Sequence, residues 1–193
     1  MPMERVYAVL LVTASEKFAE TLGAQMKSPA FDPVCVVSNI AAARRKMAER
    51  AFDFVIVNAP LADEFGSKFA VDVSVNSSCV ALIFVQSGLY GEIYDKVGDC
   101  GVFVLPKPTT VGAVSQGLDW MRSMRERLRK NERKTVDIQE KMEEIRLVNR
   151  AKWLLIEQLK MPEADAHRFI EKQAMNLGVS KRKMAENVIQ MYS

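Results

Sequence analysis

The N-terminal part of the chain contains five short apolar runs separated by segments with helical spacing. The runs are continuous and rich in β-branched residues, which is typical of strands buried on both faces of a parallel sheet. Strands that alternate with helices predict an α/β fold with a doubly wound, five-stranded parallel sheet. The predicted strands are 6–12, 34–37, 54–57, 80–85 and 102–105, and the predicted helices are 15–26, 40–50, 66–75 and 89–97.

A different pattern begins after Thr110, a residue suited to cap a helix. From Met121 to Asn149, apolar and small polar residues recur in steps of three and four, which is the heptad spacing of a coiled coil. Neither proline nor glycine interrupts residues 118–161, so we expect one long helix. A parallel dimer would bury this narrow seam, and a helix folded back on its own domain is the alternative. The predicted dimer seam consists of Met124, Leu128, Asn131, Thr135, Ile138, Met142 and Ile145.

Two shorter helices are expected after the long helix, which should end near Leu159. Pro162 suits the first turn of the next helix, Gly178 suits its C-terminal cap, and Ser180 suits the start of the last helix. These three helices predict a small bundle. Close helix approach needs small side chains, and alanines recur at Ala151, Ala166, Ala174 and Ala185.

Charge is distributed unevenly along the 193 residues. Residues 1–120 carry 10 lysines and arginines against 13 acids, a net of −3, while residues 121–193 carry 17 against 11, a net of +6. The C-terminal third could therefore attract a polyanion, although a solvated helical face gives the same count. Together with the helical patterns, we expect a first domain at 4–120, a coiled-coil linker helix at 121–145 and a C-terminal helical domain at 141–192.

Several classes of protein are disfavoured by composition. No apolar run approaches the roughly 20 residues of a membrane span, and no signal peptide is evident, so we expect a cytoplasmic protein without a membrane partner. The three cysteines are odd in number and widely spaced, which favours reduced core thiols over disulfides or a metal site. We find no nucleophile–base pair, phosphate-binding glycine loop or paired carboxylates, so we expect neither an enzyme nor a cofactor.

The order and spacing of the five strands resemble a response-regulator receiver domain over residues 4–120. The most specific local match is Leu105-Pro106-Lys107-Pro108, which is similar to the Lys-Pro pair after the fifth strand of receivers. A cis Lys107–Pro108 bond is then expected. The resemblance implies that this lysine would pair with a phosphoryl group on an aspartate at the end of the third strand. Asp53 and Asp63 lie near that position in the sequence, but neither occupies it.

The positions that carry phosphotransfer in receivers are altered in this chain. Asn58 stands at the phosphoacceptor position, and an amide lacks the anionic carboxylate that attacks the phosphodonor. Thr13 and Ala14 stand where receivers have the acidic pair that binds a divalent cation. Gln86 aligns with the hydroxy residue after the fourth strand. We therefore expect a pseudo-receiver that has kept the fold and lost phosphorylation, with Lys107 as a structural remnant.

The C-terminal helices resemble the ANTAR domain, the RNA-binding module of bacterial transcription antitermination regulators. The specific part of the match is Ala151-Lys152, and the alanine spacing described above also fits. Trp153 stands where the family commonly has glycine, and Ile156 stands where it has methionine. The resemblance implies that two such domains in a dimer bind an RNA with two stem-loops, so that a downstream terminator cannot form.

In such a complex, basic side chains would contact phosphates and unpaired loop bases would carry the sequence information. An exposed Trp153 could stack on a base, whereas a tryptophan at helical spacing is more often part of a core. Arg146 and Arg150 could instead pair with acidic neighbours such as Glu143 and Glu144. The predicted RNA-binding residues are Arg146, Arg150, Lys152, Trp153, Lys172, Lys181, Arg182 and Lys183.

Two functions of different classes follow from this reading. The first is a dimeric RNA-binding antitermination regulator whose pseudo-receiver is controlled by a partner protein or by oligomeric state instead of phosphate. The second is a protein-interaction adaptor of a signalling pathway, in which the coiled coil and the bundle bind another protein and RNA contact has been lost.

Overall fold

The computed structural model describes residues 5–192, and its elements follow the predicted order. Short 3₁₀ turns at Ser87–Leu89 and Gly98–Cys100 were not predicted. The strands are β1 (Tyr7–Val12), β2 (Phe31–Val37), β3 (Phe54–Asn58), β4 (Val80–Gln86) and β5 (Phe103–Lys107). The helices are α1 (Glu16–Gln25), α2 (Ile40–Glu49), α3 (Ser67–Asn76), α4 (Tyr90–Val97), α5 (Val111–Leu159), α6 (Glu163–Leu177) and α7 (Lys181–Tyr192). The predicted fold class is confirmed: a parallel five-stranded sheet precedes a long helix and two shorter ones.

The sheet has the strand order β2-β1-β3-β4-β5, and all neighbouring strands are parallel. Leu10 and Val12 point to one face, where they pack with residues of α2, α3 and α4. Val9 and Leu11 point to the other face, where they pack with residues of α1 and α5. Because helices cover both faces, the central strands are buried on both sides, and this explains their continuous apolar sequence.

Two strands include prolines that lie outside the predicted strands. β2 begins at Phe31 and includes Pro33, and β5 continues through Pro106 to Lys107. Both strands lie at the edges of the sheet, where a proline without an N–H removes no bond to a second neighbour. The predicted strands began after Pro33 and ended before Pro106. The Lys107–Pro108 bond is cis, as expected.

Helix α5 contributes to two compact units, one that ends at Arg129 and one that begins at Lys130. In the first unit, Met121 is fully buried, and Met124 and Leu128 pack against the sheet core beside α1. Met124 and Leu128 are only partly buried by these contacts, and the dimer seam stays a prediction. These two residues cover apolar sheet surface of their own chain, which is the folded-back alternative. The limits 4–120, 121–145 and 141–192 remain predictions.

A polar network fixes this part of α5 to the first unit. Asp53 Oδ1 accepts hydrogen bonds from Arg125 Nε and Arg129 Nη2, both at 2.8 Å. Its Oδ2 accepts the Ala8 N–H at 3.0 Å. The three charged side chains are only 12 to 24% exposed, so each depends on its partners for the solvation it has lost. Asp53 therefore lies at the opposite end of β3 from Asn58 and takes no part in that site.

The second unit is a three-helix bundle formed by the end of α5, α6 and α7. The predicted small residues Ala151, Ala166, Ala174 and Ala185 are all buried in its core. Larger side chains fill the space between them, because alanine contacts alone bury little apolar area. These larger core residues are Leu155, Ile170, Met184 and Val188.

The ends of the short helices follow the predicted caps. Pro162 is the residue before α6, and its carbonyl accepts the N–H groups of Asp165 and Ala166 at 3.0 Å. Gly178 ends α6 with a φ of +62°, in the left-handed region that favours glycine. Ser180 Oγ accepts the Lys183 N–H at 3.1 Å and so caps α7. Among residues 5–192, no helix combines the length and apolar character needed to cross a membrane.

Candidate functional site

The carboxyl ends of β1, β3 and β5 bring Thr13, Asn58 and Lys107 together. Asn58 Nδ2 donates to Thr13 Oγ1 at 3.0 Å, and Lys107 Nζ donates to Asn58 Oδ1 at 2.6 Å. Lys107 Nζ also donates to the Ala59 carbonyl. Thr13 Oγ1 accepts the Ser15 N–H at 3.1 Å as well. Three of the five predicted residues of this site therefore form one continuous chain of hydrogen bonds.

The chemistry of this chain differs from that of a phosphoacceptor site. Lys107 contacts neutral oxygens instead of a carboxylate, and burial lowers the pKa of its amine. Both ends of the Asn58 amide are occupied, and neither is a nucleophile of the required kind. Within the part of the chain that the structure describes, no group of three or more His, Cys, Asp or Glu side chains is placed to hold a metal ion.

The other two predicted residues, Ala14 and Gln86, make no side-chain contribution to this hydrogen-bond chain. Both are exposed, and Gln86 is the register partner of Lys107 in the β4–β5 pair. Ser87, one position after Gln86, donates from its Oγ to the Lys107 carbonyl at 2.9 Å. A hydroxyl group at the end of β4 thus binds the backbone of β5.

Four of the predicted RNA-binding cations are paired with acids on the surface of the second unit. The Lys181 hydrogen bond lowers the pKa of Glu171, and Glu171 in turn raises the pKa of Lys181. Exposed pairs of this kind contribute little to stability, so phosphate could replace the carboxylate at small cost. The pairs are Lys152–Glu163 at 3.0 Å, Lys181–Glu171 at 2.5 Å, Arg182–Glu186 at 3.3 Å and Lys183–Glu186 at 3.6 Å.

The remaining predicted RNA-binding cations form a weak ion pair or none. Arg150 and Lys172 are exposed and form no ion pair with another described residue. Arg146 is 73% exposed and only approaches Glu143, at 3.8 Å. Arg168 lies one helical turn before Lys172 on the solvent side of α6 and is equally unpaired among the described residues. The sequence reading did not include Arg168, although its i, i+4 spacing to Lys172 on the polar face of α6 was a visible signal.

The position of Trp153 excludes one of its two predicted roles. Its side chain is 69% exposed, so it is not part of the bundle core. Ala151 and Leu155, which flank it in the same helix, are fully buried. Trp153 therefore points away from the core of the bundle.

Comparison with known families agrees with this arrangement. The profile of the ANTAR domain matches residues 136–189, which span the end of α5 and both short helices. The C-terminal helices form an ANTAR domain. A receiver-like fold precedes the residues that match the ANTAR domain. A search of curated proteins gives no match.

Similar solved structures show the receiver fold. The signal receiver domain of an HD domain-containing protein from Pseudomonas fluorescens Pf-5 is 17% identical, with a TM-score of 0.57 over 69% of this chain and 96% of that one. An adenylate cyclase structure from Rhodopirellula baltica is 14% identical, with a TM-score of 0.60 over 66% and 96%. The beryllofluoride-activated NtrC4 receiver domain dimer is 20% identical, with a TM-score of 0.54 over 63% and 98%. These likenesses concern the fold alone.

Proposed function

We propose that this chain is a dimeric transcription antitermination regulator that acts in the cytoplasm by binding a two-stem-loop RNA in nascent transcripts. The observation that carries the proposal is the ANTAR match at residues 136–189, which falls on a bundle with free cations on its surface. RNA binding and antitermination are the properties of the ANTAR family. No catalytic role and no cofactor are part of the proposal.

The RNA-binding surface that we propose is centred on the cations that have a weak ion pair or none. Arg146, Arg150, Lys172 and the additional Arg168 are free to bind phosphates without first breaking a strong ion pair. Lys181, Arg182 and Lys183 would join them by exchanging exposed carboxylates for phosphates. The Lys152 side chain is only 16% exposed and bonded to Glu163, so it would contact RNA only after that pair opens.

The dimer that we propose uses the part of the seam in the second unit. Ile138, Met142 and Ile145 are large apolar side chains that remain exposed in the single chain. Asn131 and Thr135 continue the same heptad spacing and are also exposed. A parallel coiled coil with a second copy would remove this apolar surface from water and supply two ANTAR domains to one RNA.

Control of this regulator is proposed to come from contact with a partner protein instead of aspartyl phosphorylation. The support is the chain of hydrogen bonds from Thr13 through Asn58 to Lys107, which contains no carboxylate. A receiver fold without a phosphoacceptor still offers its surface to a partner, and differential binding of that partner to two states would be sufficient for regulation.

One observation favours the alternative, an interaction adaptor of a signalling pathway that does not bind RNA. Lys152, Lys181, Arg182 and Lys183 all have acidic partners, which reduces the positive potential that the sequence predicts. The two functions differ in one property: in the first, the cations with a weak ion pair or none bind RNA, and in the alternative they do not.

Transcription in vitro tests the proposal directly. The template carries a two-hairpin leader followed by an intrinsic terminator, and the fraction of full-length transcript is measured against protein concentration without a phosphodonor. We expect read-through to increase with the wild type and to fall with the double variant Arg150→Ala, Lys172→Ala. Lys68→Ala, which removes an exposed cation from the receiver fold, is the matched control and should behave as the wild type. Failure of the wild type to increase read-through or to bind this RNA would leave the adaptor.

A further inference from the structure

An apolar stripe on α5 continues beyond Ile145, the last residue of the predicted dimer seam. Ile138, Met142 and Ile145 are 58%, 50% and 60% exposed, and Trp153 is 69% exposed. Steps of four, three and eight residues keep all four side chains on one side of a helix. The side that carries Ala151 and Leu155 is buried in the bundle, so the stripe lies on the opposite side.

We propose that Trp153 belongs to the dimer interface, where it packs against a second copy of this chain. The inference rests on the dimer of the proposed function and deepens it. It moves Trp153 from the RNA surface to the protein interface, and it extends that interface by about two helical turns past Ile145.

The polar residue within the stripe identifies a second copy as the occupant. Asn149 lies between Ile145 and Trp153 on the same side of α5, and it forms no side-chain hydrogen bond with another described residue. In a parallel, in-register pair, each Asn149 faces the Asn149 of the second copy, and the two amides satisfy each other. An unrelated apolar groove would leave this amide without a partner, which costs free energy.

The contacts of Lys152 explain why the stripe passes through Trp153. A strict heptad step of three from Asn149 leads to Lys152, but Lys152 is bonded to Glu163 at the start of α6. A step of four leads instead to Trp153. Such a local change of spacing shifts the seam around the helix without ending it. The side of α5 that carries Lys152 contacts α6, so it is not available to a second copy. Trp153 is therefore the last residue of the seam.

The surroundings of Trp153 are polar and of mixed charge. Arg150 lies about one turn before it and Glu157 one turn after it, and both are exposed. The rim of a protein interface is commonly polar in this way. Tryptophan is also among the residues that most often dominate the affinity of such interfaces.

Sedimentation equilibrium of the full chain without RNA tests the proposal. We compare the dimer Kd of the wild type, Trp153→Ala and Met175→Ala, because Met175 is an equally exposed apolar residue on α6 that lies off the stripe. We expect Trp153→Ala to raise the dimer Kd at least about tenfold and Met175→Ala to change it by less than about twofold. Circular dichroism checks that both variants keep the helical content of the wild type.

A fluorescence measurement gives an independent readout. In a Trp120→Phe background, Trp153 is the only tryptophan. Its emission should move to longer wavelength on dilution, with the same midpoint as the dissociation seen by sedimentation, because an interfacial indole becomes solvated. An emission spectrum that is independent of protein concentration would contradict the proposal.

The outcomes separate this inference from the proposed function. A dimer that is unaffected by Trp153→Ala, or a wild type that stays monomeric, overturns the inference. RNA affinity is then measured at protein concentrations well above the dimer Kd. A loss of RNA affinity in a Trp153→Ala variant whose dimer is intact would assign the residue to RNA instead. A Trp153-dependent dimer without RNA binding would support the inference and overturn the proposed function.

Discussion

The two compact units of this chain bury their apolar residues to different extents. In the receiver unit, helices cover both faces of the sheet, and the residues of α5 up to Leu128 complete one of them. In the ANTAR unit, four alanines occupy core positions, and large apolar side chains remain outside in a line along α5. The first unit buries most of its large apolar side chains, although Val36, Tyr94 and Trp120 are exposed, while the second carries a row of exposed apolar side chains along one helix that another molecule can cover.

Size explains this difference. A domain below roughly 70 to 80 residues rarely gains more than about 3 to 5 kcal/mol from a single core, and association is one way to add to it. The ANTAR unit begins at Lys130, and its alanines allow close helix packing but contribute little buried area of their own. Self-association through the exposed stripe would stabilise the unit and pair the proposed RNA-binding surfaces at the same time.

The largest expected effect is in the receiver core. Phe54 is fully buried and stacks on Tyr7 with a centroid distance of 5.0 Å. We expect Phe54→Ala to reduce the free energy of unfolding of the receiver unit by about 3 to 5 kcal/mol, measured by urea denaturation. Val75→Ala, at an exposed position of α3, is the control and should change it by less than about 0.5 kcal/mol. A loss of less than about 1 kcal/mol of unfolding free energy for Phe54→Ala would contradict the packing of this residue in a core covered by helices.

The next largest effect is expected in the core of the ANTAR unit. Leu155 is fully buried in the small bundle, so Leu155→Ala should cost about 2 to 5 kcal/mol and unfold the ANTAR unit selectively. Leu177→Ala removes an exposed leucine and should leave the thermal midpoint unchanged.

Because dimerisation stabilises the folded state, the thermal midpoint of the wild type should rise with protein concentration. A midpoint independent of concentration would argue against self-association.

Sequence alone was sufficient for the parts of the fold that depend on local pattern. The strands followed from their continuous apolar runs, and the positions of Ala151 and Ala185 followed from the need for small side chains at helix crossings. Met124 and Leu128 could not be assigned in this way. Heptad spacing and the stripe of a helix on a sheet are nearly identical over two turns, so only the tertiary structure decides between them.

The same distinction between local pattern and tertiary packing applies to the candidate site. Asn58, Thr13 and Lys107 were brought together correctly because the ends of parallel strands meet at one edge of the sheet. The pairing of Asp53 with Arg125 joins residues 72 positions apart, and no local pattern indicates it. The Lys152–Glu163 pair depends likewise on how α5 and α6 pack.

A smaller effect is expected from the polar network of Asp53, Arg125 and Arg129. Asp53→Asn removes the charge that binds Arg125 and Arg129, and we expect the receiver unit to lose about 1 to 3 kcal/mol of unfolding free energy in urea denaturation. Asp72→Asn breaks an exposed pair with Arg44 and should cost less than about 1 kcal/mol. Equal losses in the two variants would show that burial of the Asp53 network contributes nothing.

The smallest effect is expected at the altered phosphoacceptor site. Incubation with acetyl phosphate and Mg²⁺ should leave the intact mass of the wild type unchanged, because Asn58 offers no carboxylate nucleophile. Asn58→Asp restores that carboxylate, yet Thr13 and Ala14 still supply no acidic ligand for the cation. We expect no stable adduct on this variant either. A stoichiometric phosphoryl adduct on the wild type would contradict control by protein contacts alone.

The central claim is that two ANTAR domains of one dimer bind a single RNA through phosphate contacts. Titration of the wild type against a two-hairpin RNA at several salt concentrations tests it most directly. If Arg146, Arg150 and Lys172 of both copies each bind one phosphate, about six contacts are made, and the affinity should fall with salt with a log–log slope of about −4. Tight binding with that slope and two chains per RNA is the predicted result. Binding no tighter than to an unrelated RNA of the same length would contradict the account.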